Sequence, residues 1–123
     1  MEKQDADART KLIILSDEPV LLSYLERLAS ERGWQVGVCT TPVEFLAASA
    51  VVEPQYVVVD VDMRCRLSGP RVCSMLRDAL PACRFLLLSG DGGNIRECRE
   101  AGFRIILEKP FAPEEFWSAF GAG

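Results

Sequence analysis

The chain has 123 residues, about half of them apolar, with no histidine, five cysteines and a formal charge of −4. That length suits one domain with a single core, and with no apolar stretch near the about 18 to 20 residues of a membrane span and a polar, charged start, a cytoplasmic chain is expected. Scattered cysteines without CxxC spacing (Cys39, Cys65, Cys73, Cys83, Cys98) argue against zinc and a disulfide framework, the missing histidine removes the commonest general base, and the acidic balance gives no footprint for direct nucleic-acid binding.

Residues 1–10 read as a solvated tail, because Met1 to Thr10 offer almost nothing to bury. Strand and helix signals then alternate over residues 11–120, and Gly121-Ala122-Gly123 form a short tail that extends a helix poorly. Leu12 to Leu15 is a short aliphatic run, the pattern of a buried strand, and it stops at Ser16-Asp17. Pro19 sits where a first helical turn tolerates proline, and Leu21, Tyr24, Leu25 and Leu28 recur at helical spacing until Gly33. Trp34 to Cys39 predicts a second strand. Thr41-Pro42-Val43-Glu44 is a capping box that opens a helix through Phe45, Leu46 and Ala48.

After Pro54, Tyr56 to Val59 predicts the strand that ends on Asp60. Ser68-Gly69-Pro70 starts a third helix, with Val72, Met75 and Leu76 on one face and Pro81 closing it. Phe85 to Leu88 predicts a fourth strand stopping at Ser89. Asp91-Gly92-Gly93 reads as a turn, since it lacks the lysine and spacing of a P-loop, and Asn94 with Glu97 resembles a helix cap that leads to an exit at Ala101-Gly102. Ile105 to Leu107 predicts the last strand before Glu108-Lys109-Pro110, and a short helix runs from about Pro113 to Phe120.

Strands alternating with helices in this way imply an α/β fold, a doubly wound five-stranded parallel sheet with helices on both faces, for which the order 2-1-3-4-5 is expected. Such sheets bind ligands outside the strand carboxyl ends, where the winding reverses, so Asp17 and Asp60 are expected to flank that crevice. An aspartate at a strand end can attack phosphorus if a divalent cation and a lysine neutralise the oxygens in flight. Asp17, Asp60 and Asp62 crowd together, and two carboxylates about 5 Å apart repel by roughly 3 kcal/mol at an effective dielectric of about 20. Magnesium suits such a site, since it takes one or two carboxylates and completes its octahedron with waters and phosphate oxygens. Lys109 is a point charge on a long stem, and Ser89 offers a hydroxyl donor.

At these residues the chain resembles the receiver domain of two-component response regulators, from about Lys11 to Phe120. Leu15-Ser16-Asp17-Glu18-Pro19 is similar to the acidic turn after the first strand, and Val57-Val58-Val59-Asp60-Val61-Asp62-Met63 to the phosphoacceptor strand. Leu87-Leu88-Ser89-Gly90 resembles the hydroxyl-bearing strand end, and Ala101-Gly102 with Lys109-Pro110-Phe111 the closing segment. The resemblance implies Asp60 as phosphoacceptor, Asp17, Asp60 and the Asp62 carbonyl as magnesium ligands, and Ser89 and Lys109 as readers of the phosphoryl group. It also implies a cis Lys109–Pro110 peptide. The implied function is a phosphorelay receiver rather than an enzyme, taking a phosphoryl group from a histidine kinase or histidine phosphotransfer protein. The added charge then biases a surface around the fourth helix and fifth strand toward a downstream effector or a second copy.

Three positions depart from the family pattern. Ser16 stands in place of the first acid of a pair, so magnesium is expected to bind more weakly although Asp17 and Asp60 still meet its minimum, and Ile106 stands in place of a switch aromatic. The Asp60 to Gly69 loop is one residue longer and lacks the usual proline, leaving Arg64 and Arg66 either as phosphoryl partners or in solvent. Gly90, beside Ser89, would leave an acyl phosphate open to water. Bland roles compete at each position: Ser16 as a helix cap, Asp62 as a solvated loop acid, and Trp117 and Phe120 as a cover over the sheet edge or as a partner surface. Two other functions fit parts of the pattern. One is a degenerate receiver that binds partners regardless of phosphate. The other is an aspartate-nucleophile phosphatase, because Asp60-Val61-Asp62, Ser89 and Lys109 resemble the haloacid-dehalogenase order, although that pattern expects its DxD strand near the start and an acidic pair after the lysine, whereas Glu114-Glu115 sits in a helix start.

Overall fold

The computed structural model describes residues 9–121; of the tails expected at 1–10 and 121–123, residues 1–8 and 122–123 lie outside the described residues, and Gly121 is the last residue of the final helix. Five strands, β1 (Lys11–Leu15), β2 (Gln35–Cys39), β3 (Tyr56–Asp60), β4 (Arg84–Ser89) and β5 (Ile106–Glu108), form one parallel sheet in the order β2-β1-β3-β4-β5. The helices α1 (Pro19–Glu31), α2 (Pro42–Val52), α3 (Gly69–Ala79), α4 (Gly92–Glu100) and α5 (Pro113–Gly121) follow the strands in turn. The expected fold class and strand order are those observed.

The central strands read as unbroken apolar runs because both of their faces are covered. Ile13, Leu15, Val57, Val59 and Leu87 pack with Phe45 of α2, Val72, Cys73 and Leu76 of α3, and Cys98 of α4. Their alternating neighbours Leu12, Ile14, Val58, Leu86 and Leu88 pack with Leu22, Leu25 and Ala29 of α1 and with Phe116 and Phe120 of α5. The buried stripe of α1 is therefore Leu22, Leu25 and Ala29, while Leu21, Tyr24 and Leu28 lie at its margins. Met75 does not share the core face of α3; it is exposed, and Pro70, Val72, Cys73 and Leu76 are the buried residues of that helix.

Helix starts follow their side-chain chemistry. Pro42 opens α2, and the Thr41 hydroxyl accepts from the Glu44 amide at 3.1 Å, while the Glu44 carboxylate turns back to the amide and hydroxyl of Thr40. These donors, the Thr40 amide first, hold the Glu44 carboxyl below its ordinary pKa. Thr41→Ala leaves the Glu44 amide without its acceptor, and we expect a loss of about 1 kcal/mol of stability in urea titration. The fourth helix begins earlier than its sequence suggests. Asp91 is the N-cap, its carboxylate accepting from Asn94 N at 3.0 Å, so Gly92-Gly93 form the first helical turn rather than a free turn and Asn94 is not the cap.

At the amino ends of β2 and β3, Trp117 packs edge-on against Trp34 at 5.2 Å and carries the Arg32 guanidinium 3.9 Å above its ring, and Phe120 is buried. These two residues close the second core and leave no exposed aromatic pair. The cysteines are free, with Cys39, Cys73 and Cys98 buried in the core. Among the described residues, no helix is long and apolar enough to cross a membrane.

Candidate functional site

Parallel pairing puts the carboxyl ends of β1, β3, β4 and β5 side by side, and each delivers one polar group. Asp60 is the last residue of β3, opposite Leu88, and Val61 N donating to Leu88 O at 2.8 Å extends the pairing past it. Ser89 ends β4, opposite Glu108, and the Lys109 amide donates to its carbonyl at 2.9 Å. Asp17 lies two residues beyond β1, just after Ser16, whose amide donates to Cys39 O and continues the pairing with β2. The Lys109–Pro110 peptide is cis.

Asp60 is the buried centre, only 1% exposed. Its Oδ1 accepts from Lys109 Nζ at 3.0 Å and from the Asp62 amide at 3.0 Å, and its Oδ2 accepts from Ser16 Oγ at 2.8 Å. Ser16 is fully buried and does not cap α1: Glu18 holds the cap position without a side-chain bond, and its amide donates to Ser16 Oγ. Where a second carboxylate would add charge, the serine hydroxyl donates a hydrogen bond to Asp60 instead. Asp17 is exposed, and its Oδ2 accepts from the Arg64 amide at 3.1 Å. Arg64 thus contributes its backbone, and among the described residues neither its guanidinium nor that of Arg66 pairs with a carboxylate.

Lys109 is the cationic hub, 3.0 Å from Asp60, 3.2 Å from Asp62 and 3.8 Å from Glu18. Burial pulls its pKa down, but the Asp60 and Asp62 carboxylates overcome that and raise it, so the ammonium stays charged. One lysine faces three carboxylates here, with Asp17 close by, which leaves the crevice strongly negative. Magnesium's preferences fit the oxygens at hand: the Asp17 and Asp60 carboxylates and the Asp62 carbonyl supply hard donors and meet its need for one or two carboxylates. They do so with fewer acids than a dedicated cage, and among the described residues no group of three acidic, histidine or cysteine side chains converges as a metal site.

Asp62 is not a solvated loop acid. Its Oδ1 accepts from Ser89 Oγ at 2.7 Å and from Asn94 Nδ2 at 2.9 Å, and its Oδ2 accepts from Gly90 N at 2.7 Å as well as pairing with Lys109. Burial works against its charge, but these donors prevail and lower its pKa. Asn94 and the Gly90 amide are site groups beyond those expected from the sequence. The Asp91 cap was the available signal, since it sets Asn94 in the first turn of a helix that starts beside the end of β4. A methyl group at Gly90 would make only ordinary contacts with Asp62 and Lys109.

Ile106 takes no part in this network and packs at the margin of the first core. Glu114 and Glu115 lie in the first turn of α5, where the Glu115 carboxylate accepts from the Ala112 amide, so one of the two acids is engaged in helix capping.

A family model for the response regulator receiver domain matches residues 12–120, and the chain belongs to that family. The transcriptional regulatory protein KdpE of Mycobacterium tuberculosis is 31% identical over 108 residues, covering 87% of this chain and 47% of that protein. The response regulator MprA of a Mycobacterium species (strain KMS) is 35% identical over 109 residues, covering 85% of this chain and 46% of that protein. The chain therefore spans about half the length of the curated relatives it matches. Among solved structures, a CheY-like receiver domain protein from Methanospirillum hungatei superposes with a TM-score of 0.82 at 16% identity, over 94% of this chain and 93% of the other. A response regulator from Chloroflexus aurantiacus gives 0.81 at 24% identity over 93% and 96%. Both likenesses concern the fold.

Proposed function

We propose that this chain accepts a phosphoryl group on Asp60 from a histidine kinase or histidine phosphotransfer protein, in the cytoplasm, and passes the signal to a downstream effector or a second copy. The observation that carries this reading is the Lys109 ammonium held 3.0 Å from a carboxylate that is 1% exposed, at the end of the central strand. Membership of the receiver family supports it independently.

In the reaction, an Asp60 oxygen lone pair forms the new O–P bond as the P–N bond of a phosphohistidine breaks. The bonding pair leaves on the imidazole nitrogen: a phosphohistidine protonated on its other ring nitrogen departs as neutral imidazole, and an unprotonated one takes a proton from solvent to reach the same product. Lys109 neutralises the transferring oxygens, and the Ser89 hydroxyl donates to one of them. Asp17, Asp60 and the Asp62 carbonyl are the ligands we assign to magnesium, which when bound would offset the negative charge gathered at the phosphoryl group.

Incubation with magnesium and acetyl phosphate, followed by intact-mass measurement, is expected to add one phosphate to the wild-type chain and none to Asp60→Asn. An unlabelled wild type, under conditions that label another receiver, would rule the reading out. Ser16 favours a second reading, a receiver whose partners bind regardless of phosphate, because its hydroxyl takes the place of an outer acid and occupies Asp60 Oδ2. Full partner binding by Asp60→Asn would select that reading.

A further inference from the structure

A phosphoryl group on Asp60 would need donors for its oxygens, and the crevice offers the Ser89 hydroxyl, the Gly90 amide and the Lys109 ammonium. All three are already engaged. Each points at the carboxylate of Asp62, at 2.7, 2.7 and 3.2 Å, and the Asn94 amide adds a fourth contact at 2.9 Å. The carboxylate is planar and carries one negative charge on two oxygens, and its donors divide between them: Ser89 and Asn94 on Oδ1, Gly90 and Lys109 on Oδ2. Such charge-assisted contacts are short and strong, and a group that replaces them has to match them.

We propose that the Asp62 carboxylate is an internal stand-in for the phosphoryl group, seated on its donor set in the unmodified chain and displaced when Asp60 is phosphorylated. This rests on the reading of Asp60 as phosphoacceptor. The backbone and side chain of Asp62 then have separate roles. Its amide holds Asp60 Oδ1 and its carbonyl is a magnesium ligand in our assignment, whereas its carboxylate competes with the product.

Two consequences follow from the geometry. Phosphorylation is slowed, because the Asp62 side chain has to swing out of four contacts before Ser89, Gly90 and Lys109 can turn to a phosphoryl group. The loop after β4 is also held in place without phosphate, since the Gly90 amide and Ser89 hydroxyl are already drawn toward the end of β3. Ser16 adds to the first effect by tying down the other Asp60 oxygen.

Asp62→Ala removes the carboxylate and keeps the amide and carbonyl. With magnesium and acetyl phosphate, its labelling rate at Asp60 is expected to exceed that of wild type by about tenfold, the scale of one charge-assisted hydrogen bond. In the same samples the Gly90 amide proton is expected to lie downfield in unmodified wild type, to move upfield in unmodified Asp62→Ala and to return when that variant is phosphorylated. Asp62→Asn, which keeps the side-chain size but not the charge, is expected to move both readouts in the same direction and serves if the alanine variant does not fold. Equal labelling rates, or an unmoved Gly90 proton in the variants, overturns the inference while leaving the phosphoacceptor reading intact. If neither wild type nor variant gains mass, the phosphoacceptor reading fails and the inference with it.

Discussion

Alanine at Gly69 is expected to lower the stability of the fold by about 3 kcal/mol, the upper end of the usual overpacking range. Gly69 is the first residue of α3, behind the Ser68 cap, and its backbone lies against the carbonyl of Val61. A Cβ there would overlap the Val61 carbonyl oxygen and carbon and crowd its Cγ1. These are mostly backbone atoms at the end of the central strand, so no flexible side-chain tip can move aside. Relief requires shifting the loop from Val61 to Ser68, which would drag Asp62 from Ser89 and Gly90 and the Arg64 amide from Asp17. Urea titration followed by Trp34 and Trp117 fluorescence measures the loss. Gly92→Ala is the control, because it lies in the first turn of α4 with nothing within 4 Å of its Cβ position, and it should be neutral or slightly stabilising. Equal midpoints for Gly69→Ala and wild type would show that the approach of these two backbone segments is not a constraint.

Removing the charge at Lys109 is the second change with a large expected effect. Asp60 is 1% exposed, and Lys109 is its cationic partner at 3.0 Å; without it Asp60 keeps only the Ser16 hydroxyl and the Asp62 amide. Breaking a buried pair from one side typically costs about 3 to 5 kcal/mol, because the surviving charge is left without compensation. The Lys109 and Asp62 side chains are 18% and 25% exposed, so water offsets part of this and the lower figure applies, about 3 kcal/mol for Lys109→Ala. The loss originates in the stranded carboxylate rather than in the lysine stem, so Lys109→Ala with Asp60→Asn should recover most of it. A double-mutant cycle in urea checks this. Additive losses, with no coupling between the two positions, would show that the lysine acts through packing of its methylenes alone.

Much of the fold could be read from the chain because its signals were local. The apolar runs at Leu12–Leu15, Tyr56–Val59 and Phe85–Leu88 are short and bounded by polar residues, and strands lie where the runs predict them. Pro19, Pro42 and Pro70 mark the first turns of three helices, where a missing amide hydrogen costs nothing. Where local signals compete, the packed structure chooses between them. Asp91 and Asn94 both have cap chemistry, and Asp91, two residues past the end of β4, is the one that caps. Met75 and Val72 have similar hydrophobicity and nearby helical positions, yet only Val72 faces the sheet. Which side of a helix is covered depends on how it lies across the strands, a property of the packed molecule.

The candidate site divides in the same way. The sequence alone determined that Asp17, Asp60, Ser89 and Lys109 stand at or just past strand carboxyl ends, because each closes an apolar run and parallel strands align such ends. It also determined that Ser16 and Ile106 depart from the receiver pattern. Only the tertiary structure decided what those residues touch. It turned Ser16 from a cap into a donor to Asp60, used the backbone of Arg64 rather than its guanidinium, and set the Asp62 carboxylate on Ser89, Gly90, Asn94 and Lys109. These contacts join residues up to 47 positions apart in the chain. A side chain's partner over such distances follows from strand register and loop path, which no local pattern of residue types encodes.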